Sequence, residues 1–169
     1  MSYKIKDLSN ENPTELVAMV RYFAESDLPN KAFLRQFYAP YEDSVSNKDL
    51  WEGYAQVLCL RGFPKVEDVK TEILIWWQDK NWPGFRTIEK FAIQEKESFV
   101  LPVKKTIMQA YREKDIIWFK NLLELLSQID ALISEKSRRF VENIVDYLSD
   151  DTWKDFDKLY YNKVLKLIS

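Results

Sequence analysis

Only three glycines, Gly53, Gly62 and Gly84, interrupt 169 residues, and with six prolines they leave few places where the backbone can turn sharply. Hairpins consume glycine, so turn chemistry argues against a strand-and-turn protein. Helical periodicity fills the intervals instead. Leu16, Val20, Phe23 and Ala24 share one face of a helix over about 13–26, which Pro13 opens. A short helix follows Pro29, and a polar connector occupies Ala39–Asn47. Trp51, Tyr54, Ala55 and Leu58 mark a helix over about 48–61 that stops at Gly62, a residue suited to a left-handed C-terminal position.

The helical step continues through Val66, Val69, Ile73 and Trp76/Trp77 to Gln78, then from Phe85 to about Lys96. Val100, Val103 and Ile107 define the next helix, with Pro102 near its start, and the helix carrying Ile116, Phe119, Leu122, Leu123 and Leu126 is the most apolar. Trp118 and Leu125 give that helix a second apolar face, so it is expected to be central and covered on both sides. Arg138–Ser149 and a last helix carrying Trp153, Phe156, Tyr160 and Val164 complete the chain. The expected fold is all-α, about nine helices with no sheet. It forms a single domain over 1–169, with an N-terminal helical extension over 1–46 and repeats over 47–169.

The densest signal lies between Ile73 and Arg86, which holds half of the six tryptophans. Asp79 and Asn81 suit a turn because their side chains bond nearby backbone N–H groups. Pro83 suits a first helical position, where its missing N–H has no partner to lose. Trp82 sits at the hinge, placed to wedge two antiparallel helices together. Asp-x-x-Trp recurs at Asp79/Trp82, Asp115/Trp118 and Asp150/Trp153, a period in the mid-thirties. One helical hairpin per period is the signature of an α-solenoid, in which stacked neighbours cover each other's apolar faces.

Residues 50–128 also resemble a family of bacterial proteins of unknown function whose hallmark is a Trp-Leu-Gln-Asp-Met-Asn-Trp-Pro-like turn. The matching residues here are Trp77, Gln78, Asp79, Asn81, Trp82 and Pro83, with the Gly62-Phe63-Pro64 break upstream and Leu101-Pro102 downstream. The resemblance implies a HEAT-like stack of antiparallel helical hairpins and implies no reaction. The doubled tryptophan at Trp76-Trp77 and the extension of about 46 residues depart from the family pattern.

The chemistry the chain can perform is limited by a missing residue type. There is no histidine, which removes Ser–His and Cys–His nucleophilic pairs and nearly every transition-metal site. The glycines are too scattered for a phosphate-binding loop. Cys59 is the sole cysteine and lies among Val57, Leu58 and Leu60, so it reads as a structural thiol. Asp150, Asp151, Asp155 and Asp157 lack the register of a calcium loop and read as helix-terminal acids. No catalytic residue, no metal ligand set and no cofactor is therefore assigned, and a non-enzyme is favoured over an enzyme.

What remains is a recognition surface. Trp76, Trp77, Gln78, Asp79, Arg86, Lys90, Trp118 and Lys120 are the candidate partner-binding residues, because tryptophan beside arginine is the composition of a binding hot spot. The competing reading makes Trp82 a wedge and Asp79 a turn cap, and treats the basic pairs as solvated helix faces. Adjacent residues on an α-helix point about 100° apart, so one-sided cover cannot bury both Trp76 and Trp77.

The favoured function is a non-catalytic protein-interaction module, an immunity-type protein being one version. The alternative is a nucleic-acid-binding or DNA-glycosylase-like HEAT protein. That alternative has the net charge of −2 and a pI near 5.4 against it. A protein partner is expected, with nucleic acid disfavoured and the chain a monomer or weak homodimer. Apolar runs far shorter than the roughly 20 residues of a membrane span, and no secretory signal, point to the cytoplasm.

Overall fold

The computed structural model describes residues 3–9, 12–34, 48–130 and 135–148. Among them are six α-helices: α1 (Pro13–Glu25), α2 (Asp49–Arg61), α3 (Phe85–Gln94), α4 (Lys96–Glu113), α5 (Ile116–Ile129) and α6 (Glu135–Leu148). Four shorter 3-10 segments join them, and no strand occurs among the described residues. Among the same residues, no helix is long and apolar enough to cross a membrane. The connector over 39–47 and the final helix with Trp153 lie outside the described residues. The chain divides into two compact units, Met1–Glu95 and Lys96–Ser169.

In the first unit the N-terminal segment is part of the core. Asn12 caps α1, its Oδ1 accepting from Thr14 N at 3.0 Å and Glu15 N at 3.4 Å, with Pro13 in the first turn as its lost donor requires. Leu8, Phe23, Phe33 and Leu34 are buried. Gly53 admits the 3-10 segment Ile5–Ser9 against α2, since a Cβ there would stand 2.8 Å from Leu8 O.

Arg61, the last residue of α2, closes this half. Its Nη2 donates to Phe23 O (2.9 Å) and Ser26 O (3.0 Å), and its Nη1 to Leu28 O (2.7 Å) and Asn30 Oδ1 (2.6 Å). The guanidinium also lies 4.9 Å from the centre of the Phe33 ring. Carbonyls at a helix end have no intrahelical donor, and a planar fork answers several at once. Asn30 carries the network onward, donating to Lys65 O (2.7 Å) and Asp68 Oδ1 (2.5 Å). Burial lowers the Arg61 pKa, and Asp68 opposes that shift.

The route from α2 to α3 differs from expectation. Instead of one helix up to Gln78, residues 62–84 hold two 3-10 segments, Glu67–Val69 and Glu72–Gln78. Contacts advance together along α2 and α3: Trp51 O approaches Gly84, Cys59 Sγ meets Thr87 O, and Phe63 stacks on Phe91. The two helices therefore run in the same general sense, joined by a crossover rather than a hairpin.

In the second unit α4 and α5 do form a hairpin. Lys114 takes the left-handed conformation (φ 58°), Lys114 N donates to Tyr111 O at 3.2 Å and Asp115 N to Ala110 O at 3.0 Å. That is a Schellman ending made by a lysine where glycine is usual. Asp115 then caps α5, accepting from Trp118 N at 2.9 Å. Pro102 lies inside α4, which starts earlier than expected, at Lys96. Eight of the fourteen residues of α5 are buried, Trp118, Phe119, Leu122, Leu123 and Ile129 among them. At its end Asp130 pairs with Lys104 Nζ (3.7 Å) and accepts from Ser137 Oγ, while Lys104 also overlies the Phe140 ring.

Arg61→Ala removes the guanidinium donor from Ser26 O and Leu28 O and one of several donors from Phe23 O, and is expected to destabilise the protein by about 2–4 kcal/mol in urea unfolding. Arg61→Lys recovers only part of this, because an ammonium cannot bridge the same fan of acceptors. A lysine variant as stable as the parent contradicts the forked role.

Candidate functional site

The tryptophan turn is built from short-range chemistry. Asp79 Oδ1 accepts from Asn81 N (2.9 Å) and Asn81 Nδ2 (3.0 Å), an Asx turn. Trp82 N then donates to Asp79 O and Phe85 N to Trp82 O, two consecutive tight turns. Gly84 follows in the left-handed region (φ +83°) and begins α3, its carbonyl accepting from Ile88 N at 3.0 Å. Pro83 is therefore two residues short of the helix rather than its first residue. Its contribution is its carbonyl, which accepts the Trp76 indole N–H at 2.9 Å.

Gly84 is fixed by space as well as by φ. A Cβ there would meet Trp51 O at 2.7 Å, Ala55 Cβ at 2.8 Å and Trp76 Nε1 at 3.1 Å. The turn is thus pressed against α2 on one side and against the Glu72–Gln78 segment on the other. Trp77 meets Phe85 edge-on (centroids 5.3 Å apart), and Trp82 meets Trp51 edge-on (5.1 Å). Trp82 does act as a wedge, but it braces the turn against α2 rather than joining two antiparallel helices.

These contacts sort the candidate residues. Trp76 and Trp77 are 0% and 1% exposed, so neither ring offers a face to a partner. The expectation that both could not be buried assumed an α-helix covered on one side, whereas they lie on a 3-10 segment enclosed by α2 and α3. Gln78 and Asp79 are half-buried, Asp79 being engaged with Asn81. Arg86 and Lys90 are exposed on α3. In the second unit Trp118 is buried in α5 and Lys120 is exposed on it. The rings of Trp76, Trp77 and Trp118 are thus packed inside the fold, whereas Arg86, Lys90 and Lys120 are exposed.

The Asp-x-x-Trp copies differ in geometry. Trp82 precedes α3 by three residues, whereas Trp118 is the third residue of α5. Asp79 and Asp115 each turn a carboxylate onto a nearby backbone N–H, that of Asn81 within the turn and that of Trp118 in the first turn of α5. The third copy, Asp150/Trp153, and the acidic cluster around it lie outside the described residues.

A second polar group lies between α2 and α3. Glu52 Oε1 accepts from Thr87 Oγ1 (2.6 Å) and Gln56 Nε2 (3.0 Å), and Cys59 Sγ lies 3.7 Å from Thr87 O. Burial, helped by the negative charge of Glu52, pushes the Cys59 thiol up to about 12. A thiol held protonated is a poor nucleophile and a poor metal ligand. Among the described residues, no group of three or more Cys, Asp or Glu side chains is arranged to hold a metal ion.

Residues 52–158 match the family described as Domain of unknown function (DUF5071). The chain belongs to this family. The DUF5071 region begins inside α2, takes in the whole tryptophan turn and α3 to α6, and reaches farther than the expected 50–128. Its N-terminal limit leaves α1 outside while including Arg61, which holds α1 in place. Neither a curated protein nor a solved structure matches the chain significantly.

Two residues outside the sequence candidates matter most here. Gly84 is legible as a glycine beside proline, but its close approach to Trp51 O depends on a long-range contact. Lys80 carries no sequence signal, yet its Nζ lies over Phe85 at 6.0 Å.

Gly84→Ala forces both a strained φ and a backbone clash, and is expected to cost about 2–4 kcal/mol by denaturant melting. Stability within about 0.5 kcal/mol of the parent contradicts the close approach. For Cys59, the native state keeps its proton to higher pH than the unfolded chain, so its contribution to stability is intact below about 9 and declines as pH rises toward about 12. Cys59→Ala should flatten that alkaline decline, and native Cys59 should resist alkylation at pH 8. Rapid native-state alkylation contradicts the buried thiol.

Proposed function

We propose that this DUF5071 protein is a non-catalytic protein-interaction module on a HEAT-like scaffold, with an immunity-type role as its most concrete version. The α4–α5 hairpin, with a capped two-residue turn, has the form of one such repeat unit. The spacing from Asp79 to Asp115, each with its carboxylate on a nearby backbone N–H, supports a common ancestry of the two segments. The crossover between α2 and α3 limits the hairpin stack to the part of the chain after it.

One observation carries the interaction reading. The inner side of α3 is locked by Gly84, Phe85, Ile88 and Phe91, while its outer side presents Arg86 and Lys90 to solvent. A rigid element with an exposed arginine loses little conformational freedom on binding, which is how hot spots achieve affinity. Nucleophile and metal chemistry find no comparable arrangement in the tryptophan turn.

Affinity capture from native extract followed by calorimetry with the recovered protein tests the reading. A saturable, stoichiometric partner that leaves the complex chemically unchanged is the expected result. Recovery of no partner, or conversion of the bound molecule, contradicts it. Arg86→Ala should leave melting within about 0.5 kcal/mol of the parent and weaken binding several-fold. Unchanged affinity would remove α3 as the contact face.

A further inference from the structure

The two sides of α2 serve different neighbours. Trp51 O and Ala55 Cβ approach Gly84, Glu52 Oε1 accepts from Thr87 Oγ1 at 2.6 Å, and Cys59 Sγ lies 3.7 Å from Thr87 O. Those positions face the tryptophan turn and α3. Gly53 lies against Leu8, Tyr54 meets the Phe33 ring (centroids 5.9 Å apart), and Arg61 donates to Phe23 O, Ser26 O and Leu28 O. Those positions face the N-terminal segment. At 3.6 residues per turn the two sets fall on opposite sides of the helix.

The N-terminal segment lies on α2 as a layer. Ile5–Ser9, α1 and Asn30–Phe33 each pack on α2, and Asn30 reaches Lys65 O and Asp68 Oδ1 just beyond it. The strongest polar attachment is gathered at one end, on Arg61 and Asn30. α1 buries a narrow stripe: Met19, Val20, Phe23 and Ala24 are its buried residues, while Pro13–Ala18 are exposed or half-buried. The matched family region starts at residue 52, after the whole segment.

We infer that residues 3–34 form a detachable cover, which leaves α2 as one unit while α2 stays packed on α3. Opening breaks the contacts of Gly53, Tyr54 and Arg61 and none of those that Glu52, Ala55 and Cys59 make on the other side. Segments that bury few apolar side chains open at a lower free energy than the whole fold. Arg61 is the catch. Burial disfavours its charged form, so release into water restores hydration that offsets part of the lost hydrogen bonding. Release frees Gly53, Tyr54 and Arg61 together, so access to this side of α2 depends on the cover. The device works whether or not α3 contacts a partner, and so goes beyond the interaction reading.

The test is amide hydrogen exchange on the full chain at several sub-denaturing urea concentrations, followed residue by residue. The Val20 and Phe23 amides in α1 should exchange through an opening of lower free energy and smaller urea dependence than the Ile88 and Phe91 amides in α3. Arg61→Lys should speed exchange in α1 about tenfold. Thr87→Val removes the hydroxyl bonded to Glu52 on the opposite side of α2. It should speed exchange in α3 about fivefold and leave α1 within about twofold, because the bond it deletes is present both before and after the cover lifts.

Two results overturn the inference: α1 and α3 amides of the parent sharing one opening free energy and one urea dependence, or Thr87→Val speeding α1 as much as α3. The comparison within the parent needs no variant, so it decides the matter even if a substitution disturbs the fold. A captured partner that establishes the interaction module, alongside α1 and α3 exchanging together, would remove the cover alone.

Discussion

The indole N–H of Trp76 reaching the carbonyl of Pro83 is the bond on which the central region depends. A buried indole needs an acceptor, and the turn supplies one only if the chain doubles back within seven residues. That return brings Gly84 into a space where any side chain would collide with α2, which in turn fixes where α3 starts. Phe85, Ile88 and Phe91 then face inward by helical spacing, and Arg86 and Lys90 are left outside. Placement of the exposed cations thus follows from a hydrogen bond they do not touch.

Arg61 plays the matching part for the N-terminal segment. Its acceptors come from residues 23–30, all outside the matched family region, whereas Arg61 itself lies inside it. One side chain therefore secures an additional helix to the family domain. The guanidinium is weakly hydrated and always charged, so it can be half-buried among carbonyls where an ammonium would hold its water more strongly. Asn30 and Asp68 extend the same network to the segment after Gly62, so the N-terminal helix and the crossover share one polar junction.

Helical class was legible because it rests on local information: apolar spacing, capping residues and the scarcity of glycine. Asn12, Gly62 and Asp115 behaved as their residue types suggest. The crossover was not legible. Val66 to Trp77 has a helical step in sequence, but contact on several sides favours shorter 3-10 turns there, and periodicity cannot report how many sides are covered. For the same reason Trp76 and Trp77 looked like surface candidates while being the most enclosed indoles among the described residues. Arg61 and Lys80 were invisible, since a charged residue in sequence says nothing about distant carbonyls or rings. Asp-x-x-Trp gave the backbone-bonding role of two aspartates but not the placement of their tryptophans, because one turn is followed by a left-handed glycine and the other leads directly into a helix.

Hydrogen exchange at the individual indole N–H groups tests the turn most directly. With Trp76 bonded to Pro83 and enclosed, its N–H should exchange only through opening events close in free energy to global unfolding, while the half-buried Trp82 exchanges much faster. A Trp76 N–H that exchanges as quickly as that of Trp82 would contradict the locked turn, and with it the rigid presentation of α3.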